Sequence, residues 1–133
     1  RRLTFLDCYT IFEEVGYWRK ANQIHKWFVD NVQNGEDMCN PYLVSKRHLE
    51  TLLDLVNKVL ELEIYLDPVT QVLSGEAESI ADELLPTQSG FFFGSTDYDE
   101  YYFEKLKDTK DILNRVLLET DFDNEILIYC SSW

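Results

Sequence analysis

The sequence predicts an α+β fold, with three main helices packed on a small antiparallel sheet in a single compact domain over residues 1–133. Three observations carry that expectation. Apolar residues recur three or four apart in three long segments, the spacing of helices that bury one stripe. Both ends of the chain have the composition of short strands, which are expected to pair and to carry the helices on one face. Apolar residues make up 45% of the chain, enough for a core at this length. The order of strands and helices lacks the regular alternation of a doubly wound sheet.

Taken in order, residues 3–9 form a short run of apolar and β-branched side chains, predicting a strand. Residues 14–32 have helical spacing: Val15, Trp18, Ala21, Ile24 with His25, Phe28 and Val32 share a face. The run Asn34-Gly35-Glu36-Asp37 and on to Pro41 breaks that pattern with turn chemistry. Ser45 is placed as the N-cap of a second helix over 45–62, with Leu49, Leu52, Leu53, Val56, Val59 and Leu60 inward. A short strand is expected at 63–66, ended by Asp67-Pro68. Residues 75–85 suit one short helix with Ile80 and Leu84 inward, stopped by Pro86. Thr96-x-x-Asp99 approximates a capping box and opens the third long helix, 97–118. Its inner stripe is Tyr102, Leu106, Thr109, Leu113 and Val116. Finally, 125–131 alternates Ile126, Ile128 and Cys130 against Leu127, Tyr129 and Ser131, a half-buried strand.

Charge is strongly segregated. Residues 1–60 carry eight acidic and eight basic side chains, whereas 61–133 carry 17 acidic and four basic, so the whole net charge of −13 lies in the second half. Such a field repels nucleic acid and membrane surfaces and attracts basic ones. No run of eighteen apolar residues is present, so no membrane span is expected. The start Arg-Arg-Leu-Thr-Phe-Leu-Asp lacks the apolar core of a secretory leader. Cys8, Cys39 and Cys130 are widely spaced and odd in number, which suits free thiols in a reducing cytoplasm. Cys8 and Cys130 are expected to be neighbours if the terminal strands pair.

The least ordinary segment runs from residue 84 to 102, LLPTQSGFFFGSTDYDEYY. Phe91, Phe92 and Phe93 sit between Gly90 and Gly94, followed by carboxylates and phenols at Asp97, Tyr98, Asp99, Glu100, Tyr101 and, one turn on, Glu104. An apolar ring cluster beside carboxylates suits a recognition surface. Metal chemistry does not fit. Asp97 and Asp99 point roughly 200° apart on a helix, and the ligand spacing of a calcium loop is absent. Carboxylates at a helix start are favoured by the macrodipole alone.

Other motifs have ordinary explanations. Asp121-Phe122-Asp123 follows a helix rather than a buried strand and suits a solvated loop. His25 falls on an apolar helix face, where a hydrogen-bonded core histidine is the default, and neither it nor His48 has the spacing of a catalytic pair. No GxGxxG or Walker loop occurs, so no nucleotide cofactor is called for. Trp18-Arg19-Lys20 with Lys26 forms a small basic-aromatic patch that suits a phosphate or, more simply, covers an apolar helix edge.

Residues 13–33 (EEVGYWRKANQIHKWFVDNVQ) and 84–133, above all LLPTQSGFFFGSTDYDEYYFEKLKDT and the closing CSSW, resemble a set of small bacteriophage and prophage proteins. The resemblance covers roughly half the chain and brings no catalytic residues with it. It implies a phage accessory protein acting in the cytoplasm of an infected bacterium. By analogy it implies a non-enzymatic inhibitor of a host defence nuclease, such as a CRISPR effector, whose basic groove accepts ordered carboxylates in place of phosphates. The contact expected is the acidic third helix and the loop before it. Phe91–Phe93 anchor the partner, and Asp97, Asp99, Glu100 and Glu104, with Tyr98 and Tyr101 among them, meet its basic residues. The alternative is a small-ligand or nucleotide-binding protein, or an enzyme, that uses residues 87–102 as a pocket wall. A concave site where the Phe rings and Trp18 converge favours the alternative, and a flat or convex acidic face favours the inhibitor. A structural phage domain is the third option.

Overall fold

A computed structural model describes residues 2–5, 11–90 and 95–131. Along the chain these form β1 (Arg2–Phe5), β2 (Ile11–Glu14), α1 (Asn22–Asn31), β3 (Tyr42–Val44) and α2 (Lys46–Leu60). A 3-10 turn at Glu61–Tyr65, α3 (Gly75–Leu84), α4 (Glu100–Glu119) and β4 (Ile126–Tyr129) follow. The four strands make one antiparallel sheet in the order β2-β1-β4-β3. The terminal strands pair as expected, with Leu3 opposite Leu127, and the α+β class holds. The expected proximity of Cys8 to Cys130 lies outside the described residues. Cys39 and Cys130 are free thiols.

The core lies between sheet and helices. Alternation in β4 turns Leu127 and Tyr129 inward, and the Tyr129 ring stacks on Phe28 of α1, centroids 3.9 Å apart and nearly parallel. α2 contributes Leu49, Leu52, Val56 and Val59. α4 contributes Tyr102, Leu106, Thr109, Leu113 and Val116, the stripe its spacing predicts, together with Phe103. These two helices form the main helix pair over the sheet. Ser45 caps α2 through a capping box: its hydroxyl accepts from the His48 N–H at 3.1 Å, and His48 Nδ1 accepts from the Ser45 N–H at 3.1 Å.

Four expectations are corrected. The first helix does not begin at residue 14. Ile11–Glu14 extends the sheet by pairing with β1, and Lys20 has a φ of 54°, a left-handed geometry that interrupts a helix. Val15 and Trp18 therefore lie on a link. Trp18 still packs inward, donating its indole N–H to Thr109 Oγ1 at 2.8 Å. Residues 63–66 are not a strand. The chain leaves α2 still helical and tightens into the 3-10 turn, burying Leu62, and the Asp67 carboxylate then collects the Val69 and Thr70 N–H groups at 2.8 Å each. Those two bonds hold Asp67 below the usual carboxylate range.

In α3 the inward residues are Ala81 and, just past the helix, Leu85, while Ile80 faces out and Leu84 is half-buried. The cap of α4 is Asp99 rather than Thr96: Asp99 Oδ1 accepts from the Tyr102 N–H at 3.1 Å. A β-bridge between Val72 and Asp99 and a bond from the Leu73 N–H to the Tyr98 carbonyl at 2.8 Å keep the chain extended until Asp99, so no helix starts earlier. β2 and β3 were not anticipated.

Candidate functional site

The residues singled out around the start of α4 separate into two groups. Asp97, Glu100, Tyr101 and Glu104 are exposed. Tyr98 is not a surface residue: it is 6% exposed, donates its hydroxyl to Asp82 at 2.5 Å and accepts from the Thr87 N–H at 3.2 Å. Burial, then the Asp82 carboxylate, pushes its phenol above the ordinary tyrosine range. Asp99 is partly committed as the cap. Tyr102, beside it, is buried and donates to the Leu85 carbonyl at 2.8 Å. Phe91, Phe92 and Phe93 lie outside the described residues.

Residues 87–90 and 95–98 are tied to the start of α1 by buried amides. Asn22 Nδ2 donates to the Ser95 carbonyl at 2.8 Å, and Asn22 Oδ1 accepts from the Gln88 N–H at 3.0 Å. Gln23 Nε2 donates to the Tyr102 carbonyl at 3.1 Å. Buried amides in such numbers fix a backbone because leaving any one unpaired is costly. Between these residues and the start of α1 runs a cleft of about 370 Å³. One wall is Arg19, Lys20 and the first residues of α1. The other carries Ser95, Asp97, Asp99 and Tyr101, with Lys105 one turn into α4. The predicted acidic contact therefore shares its surface with three cations and is concave. Trp18 does not join it, being engaged in the core with Thr109 and Phe28.

The unbroken acidic surface lies elsewhere. Residues 59–96 contain seven carboxylates and no Lys, Arg or His. This run comprises the 3-10 turn, α3 and the loop to α4. Glu61, Glu76, Glu78 and Glu83 are exposed there. Glu63 is answered from outside the run by Lys107, at 2.6 Å. Four of the nine exposed large apolar side chains among the described residues fall on the same lobe: Ile64, Tyr65, Val69 and Ile80. Ile64 and Val69 are 80% and 89% exposed. Tyr65 and Ile80, with Ser74, Glu76 and Ala77, line a groove of about 430 Å³.

This groove was missed from sequence because Ile80 was assigned to the core. The absence of any cation over the 38 residues 59–96 was the available signal. The cleft was half-visible in the Trp18-Arg19-Lys20 patch, but nothing local pointed to Lys105 as its partner. Among the described residues, no group of three or more His, Cys, Asp or Glu is placed to share a metal ion, and no helix is long and apolar enough to cross a membrane. Comparison with protein-family models, curated proteins and solved structures finds no match to this chain.

Proposed function

We propose that the protein is a non-enzymatic binding protein whose acidic lobe docks onto a basic surface of a protein partner. The partner class we favour is a nuclease of bacterial defence, a CRISPR effector among them, with the lobe's carboxylates standing where nucleic-acid phosphates would lie. One observation carries the reading: seven carboxylates without a cation over residues 59–96 occur on the stretch that also lines a groove at Tyr65 and Ile80. Exposed Ile64 and Val69 fall on the same stretch of chain. A docking surface uses apolar anchors for affinity and the surrounding charge for steering and register. The predicted contact thus moves from the start of α4, where Arg19, Lys20 and Lys105 interrupt the acidic field, to the face of the 3-10 turn and α3. The phage setting rests on the resemblance of the segments at 13–33 and 84–133.

The test is biolayer interferometry against a panel of purified CRISPR effector nucleases, with and without their guide RNA and target DNA. The expected result is a salt-sensitive complex with at least one effector, lost when nucleic acid fills the groove. Binding to none of them removes this target class, and binding unaffected by nucleic acid removes the mimicry.

A further inference from the structure

We propose that the cleft between residues 19–23 and the start of α4 binds a small phosphorylated ligand of the nucleoside monophosphate class. This goes beyond the docking reading and uses a different surface. The cleft holds about 370 Å³, inside the ~300–1,000 Å³ range of small-molecule sites. Arg19, Lys20 and Lys105 converge on it. In a chain of net charge −13 with only twelve Lys and Arg, three cations around one concavity make a local reversal of field. That reversal draws a small anion but is too small to hold a nucleic-acid strand against the rest of the chain.

Asp97 and Asp99 line the same cleft, yet they do not pair with these cations. The Lys and Arg ion pairs among the described residues are Lys26–Asp30 and Lys107–Glu63. Opposite charges that share a concavity without meeting are complementary to a ligand bearing an anion at one end and hydrogen-bond donors at the other. The first turn of α1 reinforces the cationic wall: it contains no acidic residue, and no side chain caps it. The amides of Asn22 and Gln23 hold the two walls at fixed separation, so the site is preorganised. Tyr101, 64% exposed on the rim, offers a ring face to a base. Inorganic phosphate would use the cationic wall alone. A nucleoside monophosphate engages all three features, with phosphate on Arg19, Lys20 and Lys105, ribose or base donors on the Asp97 and Asp99 carboxylates, and the base on Tyr101.

Isothermal titration calorimetry with the four ribonucleoside 5′-monophosphates tests this, with adenosine and inorganic phosphate as separate arms. Saturable one-to-one binding of at least one monophosphate is expected, with the two fragments weaker by about tenfold or more. The double variant Arg19→Gln/Lys105→Gln should lose about tenfold or more in affinity, with circular dichroism and melting unchanged. Lys26→Gln, at a cation engaged with Asp30, should bind as the parent does. Should the double variant melt early, Tyr101→Ala at an exposed side chain provides the second reading, with affinity lost for the monophosphate and not for inorganic phosphate. No saturable binding by any of the four, or binding indifferent to both variants, overturns the proposal. Inorganic phosphate binding as tightly as the best monophosphate overturns the nucleoside class.

Discussion

His25 Nδ1 and the Tyr129 hydroxyl lie 2.6 Å apart, joining α1 to β4 across 104 residues of sequence. On the other side of the ring, Nε2 lies 2.9 Å from an Asp37 carboxylate oxygen. A carboxylate, an imidazole and a hydroxyl in line have the look of an acid–base relay. Here the hydroxyl belongs to a tyrosine that is 4% exposed and stacked on Phe28, so a substrate has no approach to it. The chain is a structural clasp. Tyr129→Phe keeps the stacked ring but leaves a buried imidazole nitrogen without that partner, and should cost ~1–3 kcal/mol. Urea unfolding measures it, and a midpoint unchanged from the parent would rule out the clasp.

Gly16 sits where the link before α1 crosses α4. A Cβ built there would stand 2.6 Å from Ile112 Cγ2. Gly16→Ala should therefore destabilise by ~1–3 kcal/mol through overpacking. Adding Ile112→Ala removes the colliding methyl, so Gly16→Ala should cost less in the Ile112→Ala background than in the parent. Additive losses in a thermal-melt cycle would show that the close approach is not the cause.

The stripes of α2 and α4 were legible because a helix packed on one side repeats its apolar residues every three or four positions, and nothing else in the chain competes with that pattern there. Ser45 was legible because a cap is a local bond. The link at residues 15–21 was not. Val15, Trp18 and Ala21 are buried or half-buried at helical spacing, but they reach the core from an irregular segment held by Arg115, which donates to the Val15 carbonyl at 2.7 Å. A partner a hundred residues away leaves no mark on local periodicity. The three-residue strand β3 is too short to show a period of two. Ile80 misled because an amphipathic spacing marks a face of the helix without saying which of its positions the core covers. The cleft was hidden for the same reason as the link: Arg19 and Lys105 are far apart in sequence and meet through long-range bonds such as those of Gln23 and Trp18 to α4.

Tyr102 gives a pH dependence with a definite sign. Burial, then the nearby Tyr98 and Asp82, raises its phenol far above the ordinary value of 10.0. A raised folded-state value means the proton is held more tightly in the native protein. Its contribution is fully present below about pH 10, the unfolded value, and is lost as pH rises from there through the folded value. In that window stability should fall by about 1.4 kcal/mol per pH unit for this one proton. Tyr102→Phe lowers stability near neutrality, because the Leu85 carbonyl loses its donor, but it should flatten the decline at alkaline pH. Equal slopes for the two proteins in urea titrations above pH 10 would contradict the assignment.

The acidic lobe and the start of α4 are separable by charge reversal. Glu76 lines the groove at Tyr65 and Ile80, and Glu61, Glu78 and Glu83 are exposed on the same 3-10 turn and α3. Asp82 is left intact because its carboxylate accepts the Tyr98 hydroxyl. Asp97, Glu100, Glu104 and Asp108 form a second exposed set of equal size. Changing either set to lysine alters the net charge by the same amount, so a general field effect treats the two alike. A docked lobe does not: charges in contact act at short range, whereas exposed charges farther off are screened beyond a Debye length of about 8 Å at physiological ionic strength. Reversal of the first set should slow association with the partner sharply and flatten its salt dependence, while the second set should do much less. Reversing carboxylates in the first turn of α3 also costs ~0.3–1 kcal/mol each in helix stability, so circular dichroism must confirm that the helix survives. Tyr65→Ala isolates the apolar anchor, and its effect should fall on dissociation rather than association, as contact losses do. Equal slowing by the two sets, or rates indifferent to salt, would reduce the lobe to a solubilising shell. Slowing by the second set alone would return the contact to the start of α4.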